Sequence, residues 1–119
     1  MIARRAALSA LLLATLPALA WGHAQLRSAQ PPVGGSVAAP ASVEMTFIEG
    51  VEPRFSTITV TDAAGHEVDR KDVHTPGSDA RHLAVGLKPL GPGEYRVEWH
   101  ATSVDTHKTE GSFTFRVTP

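Results

Sequence analysis

The sequence predicts an all-β fold, a sandwich of about seven short strands, on three observations. Apolar and polar residues alternate with a period of two in short runs rich in Val, Thr, Ile and Phe. Gly (10) and Pro (9) punctuate the 119 residues at intervals that suit turns between strands. Beyond residue 22 there is no helical-bundle pattern, internal repeat or long linker, so a second domain has no support.

Taken in order, the chain from His23 to Gln30 reads as a first strand or extended arm, stopped by Pro31-Pro32 and turned by Gly34-Gly35. Val43, Met45 and Phe47 alternate with Glu44 and Thr46, and Ile58 and Val60 alternate with Thr57, Thr59 and Thr61, so each run buries one face. Asp62-Ala63-Ala64-Gly65 suits a hairpin connection into a further strand over Glu67 to Val73, with a polar loop from Val73 to Arg81. A short strand follows from His82 to Val85, then a turn-rich passage from Lys88 to Gly93. The strongest alternation comes last: Tyr95, Val97, Trp99 and Ala101 share one side, as do Phe113, Phe115 and Val117. Two antiparallel sheets packed through these faces bury the large aromatics between them.

The first 22 residues stand apart. Arg4 and Arg5 precede an apolar run through Leu13, and Ala20 and Gly22 supply the small residues of a cleavage site before His23. Residues 1–22 therefore read as a cleaved secretory signal and 23–119 as the mature domain. Cleavage leaves 97 residues with nine Lys plus Arg against 12 Asp plus Glu, a charge near -3. The destination is the periplasm or the cell exterior. No basic field exists to hold a nucleic-acid backbone, so nucleic acid is not a partner. The absence of Cys excludes disulfides, thiolate metal sites and a cysteine nucleophile.

Imidazole and carboxylate chemistry remains, and all six His survive cleavage. A processed His23 offers an α-amine and a ring nitrogen on one residue, and Asp105-Thr106-His107, between the last two strong strands, adds a carboxylate and a second imidazole. Nitrogen donors of this kind suit Cu(II), with zinc and nickel open on composition alone. The same residues also fit plainer roles, since a terminal His can be merely exposed and an Asp-x-His can cap a turn. His66 and His74 read as surface residues, and His82 and His100 as surface or supporting groups. Glu49 is a candidate hydrogen-bond acceptor near the metal, while Arg27 can only donate. Met45, the sole mature Met, lies on the core face; the soft ligands that favour Cu(I) are therefore lacking.

These residues sit in a longer pattern. HAQL at 23–26, Pro31-Pro32, Phe47-Ile48-Glu49, Val51-Glu52-Pro53, Phe55-Ser56 and VEWHATSVDTHKTEGSFTFRV from Val97 to Val117 together resemble the CopC/PcoC/YobA family of periplasmic copper-resistance proteins. The resemblance implies an immunoglobulin-like Greek-key sandwich in the periplasm, binding one Cu(II) per mature chain through His23, Asp105 and His107. It also implies a copper carrier or chaperone in homeostasis and resistance, monomeric and not an enzyme, with an inner-membrane copper transporter as partner. Two positions depart from the family pattern: Thr106 stands where Gly is common, and His100 follows Trp99 where Arg is common. The family's Met-rich cuprous loop is missing.

Two other classes compete. A copper oxidoreductase built on a terminal histidine brace would need a substrate platform, whereas the clearest aromatics here face the core. A metal-independent interaction module is open to any small β-sandwich.

Overall fold

The computed structural model describes residues 26–119. The proposed signal at 1–22, the cleavage point and His23 lie outside the described residues. Seven strands form: β1 (Leu26–Gln30), β2 (Ser36–Val37), β3 (Ser42–Phe47), β4 (Thr57–Asp62), β5 (His82–Gly86), β6 (Gly93–Thr102) and β7 (Lys108–Val117), with a 3₁₀ turn at Pro53–Phe55. They make a three-stranded sheet in the order β1-β3-β5 and a four-stranded sheet in the order β2-β7-β6-β4. All pairings are antiparallel except β2 with β7. Because β1 to β6 alternate between the sheets, the chain repeatedly crosses from one layer to the other, the immunoglobulin-like sandwich expected.

The period-two runs do the sorting. Val43, Met45 and Phe47 of β3 and Leu83 and Val85 of β5 face Ile58 and Val60, Tyr95 to Ala101, and Phe113 to Val117 across one core. Met45 is 1% exposed, as its place on that face requires. Phe47 meets Trp99 edge to face, with ring centroids 5.3 Å apart, and Tyr95 stacks on Phe115 at 5.5 Å. The Tyr95 hydroxyl donates to the Gly91 carbonyl at 2.7 Å, fixing the turn before β6 as a tyrosine corner. Gly111 sits opposite Trp99, and a Cβ there would come 2.8 Å from the indole Cζ2, so this strand position makes room for the ring.

Seven strands were expected and seven form, but the membership differs. Glu67 to Val73 is not a strand. It is an irregular strap touching the sheets through the isolated bridges Thr61↔Glu67, Asp69↔Leu87 and His74↔Ala84. Carboxylates take the amide donors that a ladder would use: buried Asp69 accepts from Val60 N at 2.8 Å and Lys71 N at 3.2 Å, and Asp72 accepts from Gly86 N at 2.7 Å. The strap thereby covers the free edge of β4 in one sheet and of β5 in the other. The seventh strand is instead β2, two residues too short to leave a periodic signal.

Candidate metal centre

One end of the sandwich is tied across its two sheets. Beyond β3 the chain continues through Ile48, Glu49 and Gly50 to Val51, which bridges Ser103 in the connection between β6 and β7. Val104 N donates to the Gly50 carbonyl at 3.0 Å and Glu52 N to the Thr102 carbonyl at 2.8 Å. A side chain at Gly50 would meet Val104 at 3.3 Å, so the two segments lie nearly in backbone contact. Glu49, from the three-stranded sheet, is thus brought to Asp105 and His107, on the hairpin of the four-stranded sheet.

Glu49, Asp105 and His107 each present a ligand atom within 4.8 Å of the other two. Donors about 2.0–2.2 Å from one metal lie no more than about 4.4 Å apart, so a small side-chain rotation would let the three share a cation. His107 Nδ1 is 3.3 Å from both Asp105 oxygens. The side chains of His107 and Asp105 are 77% and 54% exposed, leaving the site open to incoming metal. The Ser103 hydroxyl donates to Asp105 Oδ1, and this bond, then the His107 amide, holds the Asp105 carboxyl below its ordinary range. Asp105 is therefore an anion throughout the neutral range.

The structure thus brings together Asp105 and His107 of the sequence-predicted set; His23 lies outside the described residues. Glu49, read in the sequence as a hydrogen-bond acceptor near the metal, is placed as a third potential ligand. Four other His are engaged elsewhere: His66 with Asp62 at 3.2 Å, His74 with the Asp72 carbonyl at 2.7 Å, His82 with Asp79 at 3.7 Å, and His100 with Glu110 at 3.1 Å. Arg27 is exposed. Among the described aromatics Phe55 alone is largely exposed, at 63%.

Thr106 turns the loop with φ at +72°, a left-handed conformation that a β-branched residue rarely adopts. Its hydroxyl donates to the Asp105 carbonyl, a local compensation. Thr106→Gly is expected to stabilise the metal-free protein by about 0.5–1 kcal/mol after the entropy cost of Gly, raising Tm by a few degrees. Cu(II) affinity should stay within about twofold because the Thr106 side chain is not in the cluster. A metal-free melt in which Thr106→Gly unfolds earlier would show that the hydroxyl bond outweighs the strain.

A family model described as the CopC domain matches residues 26–118. Protein YobA of Escherichia coli strain K12 is 38% identical over 99 residues, covering 82% of this chain and 80% of that protein. Copper resistance protein C of Pseudomonas syringae pv. tomato is 37% identical over 106 residues, covering 84% of each. The crystal structure of CopC from Methylosinus trichosporium OB3b has a TM-score of 0.74 at 33% identity, covering 80% of this chain and 93% of that one.

Proposed function

The chain belongs to the CopC family, and we propose that it is a periplasmic Cu(II)-binding protein that carries copper in homeostasis and resistance. Its activity is reversible coordination, not catalysis. The observation that carries this reading is the meeting of Glu49, Asp105 and His107 at one end of the sandwich. Oxygen donors alone would suit hard cations, whereas an imidazole among them favours a first-row transition metal.

The finer proposal is one Cu(II) per mature chain, held by the amine and ring of His23, the imidazole of His107 and the carboxylate of Asp105. Support comes from register. Leu26 opens β1 opposite Phe47, two residues before Glu49, so β1 begins at the end of the sandwich where the cluster lies. His23 is three residues upstream of Leu26, a tether that spans up to ~10 Å. Cleavage before His23 would free its amine within reach of the cluster. We further propose that the protein acts as a monomer and exchanges copper with an inner-membrane transporter.

The test is to export the protein, determine its mature terminus by intact mass, and titrate the same sample with Cu(II) while recording electron paramagnetic resonance spectra. A terminus at His23 and a single nitrogen-rich cupric signal saturating at one equivalent are expected. Absence of a saturable cupric signal from protein processed at His23 would sink the assignment.

A further inference from the structure

We infer that Ser103 is a positioning residue for the metal centre, fixing Asp105 as a ligand through one oxygen; this rests on the cupric reading above. Ser103 is 5% exposed and lies at the bridge to Val51, where the two sheets are tied together. Its contacts reach both of the candidate ligand residues on its own loop. The backbone N–H donates to the His107 carbonyl at 2.8 Å, and the side-chain oxygen accepts from the His107 amide at 3.1 Å. The hydroxyl proton goes to Asp105 Oδ1.

Those bonds fix a direction. A serine hydroxyl has one proton, and with the His107 amide pointing at its oxygen that proton must go elsewhere; Asp105 Oδ1 takes it. Oδ1 also receives the His107 amide at 3.4 Å, so the backbone and hydroxyl donors converge on this oxygen, while Oδ2 meets only the His107 ring nitrogen at 3.3 Å, itself a candidate donor, and is the oxygen turned toward a metal shared with that ring. Because Ser103 is anchored to Val51, the carboxylate is oriented relative to the segment carrying Glu49 as well as to its own loop. A free Asp105 side chain, more than half exposed, would sample several rotamers and lose part of that order on binding. Partners that orient metal ligands are commonly worth about 10–100-fold in affinity.

The test is a double-mutant cycle on the processed, full-length mature protein. Cu(II) affinity would be measured by competition with a chelator for the parent, Ser103→Ala, Asp105→Ala and the double variant, at a temperature where metal-free melts show all four folded. Ser103→Ala is expected to bind ~10-fold more weakly, with an altered cupric spectrum, and Ser103→Thr to regain most of the loss. If Ser103 acts through the carboxylate, the double variant binds within about twofold of Asp105→Ala alone. Affinity within about twofold of the parent in Ser103→Ala, or a further ~10-fold loss in the double variant, would overturn the role. A parent without any cupric site would overturn both this role and the function it rests on, so the two failures are distinguishable.

Discussion

His107→Ala is expected to remove stoichiometric Cu(II) binding from the mature protein, weakening affinity by more than ~100-fold, because even residues that merely orient ligands are worth about 10–100-fold. His23→Ala should do comparable damage, since it deletes a ring nitrogen from a residue that would otherwise supply two donors. Asp105→Ala should cost less, about tenfold, with Glu49 standing within 4.8 Å to offer a replacement carboxylate. The fold is not at stake in the His107 variant. Its side chain is 77% exposed, so the metal-free stability should change by no more than about 0.5 kcal/mol. His66→Ala and His100→Ala, whose partners are Asp62 and Glu110, serve as controls and should bind as the parent does. Unchanged cupric affinity in either His23→Ala or His107→Ala would remove the assignment.

The core was legible because period two is a strong signal when one face is buried and the other wet. Tyr95 to Ala101 and Phe113 to Val117 alternate without interruption, and both runs form as expected, extended to ten-residue strands. The strap was misread for a definite reason. Glu67 to Val73 follows a hairpin turn and carries two β-branched residues, but Val68 and Val73 are five positions apart and so share no face, and nothing local shows that Asp69 and Asp72 turn their carboxylates back onto backbone amides. Those bonds depend on Val60 and Gly86, residues 9 and 14 positions away, and no local pattern contains them. For β2, two residues paired with the end of β7 are a tertiary event with no periodicity of their own.

The site was legible in part. Asp105 and His107 are two residues apart in one loop, and the separation of an Asp-x-His motif is visible in any sequence. Glu49 is 56 positions from Asp105, and it reaches the cluster because Val51 bridges Ser103 and Gly50 accepts from Val104. The small residue at Gly50 was the one available sign of that close approach. Ser103 itself carried no signal, since a serine two positions before an aspartate is ordinary. Its importance comes from burial at the bridge, which only the fold supplies.

Copper loading should raise the thermal stability of the whole domain, because the proposed site lies where segments from both sheets meet and assembles only when the sandwich is closed. Glu49 follows β3, while Asp105 and His107 belong to the β6–β7 connection, so an unfolded chain offers dispersed ligands and binds far more weakly. With free Cu(II) at ~1,000 times the Kd, linkage gives about 4.1 kcal/mol. For a domain of this size that corresponds to a Tm increase on the order of 15–30 °C. Acid should erase the increment, and in a definite order. Protons compete for the amine and imidazole nitrogens as pH falls. Asp105 has its folded-state pKa lowered, chiefly by the Ser103 hydroxyl, so its carboxylate contribution is present above the ordinary value of 3.8 and is lost only as pH falls through the lower folded value. The copper-dependent increment should therefore disappear while Asp105 is still ionised, with the metal-free sandwich still folded. Differential scanning calorimetry of metal-free and loaded protein across a pH series reads this directly. An equal copper-induced Tm increase in His107→Ala would show that the stabilising ion sits elsewhere.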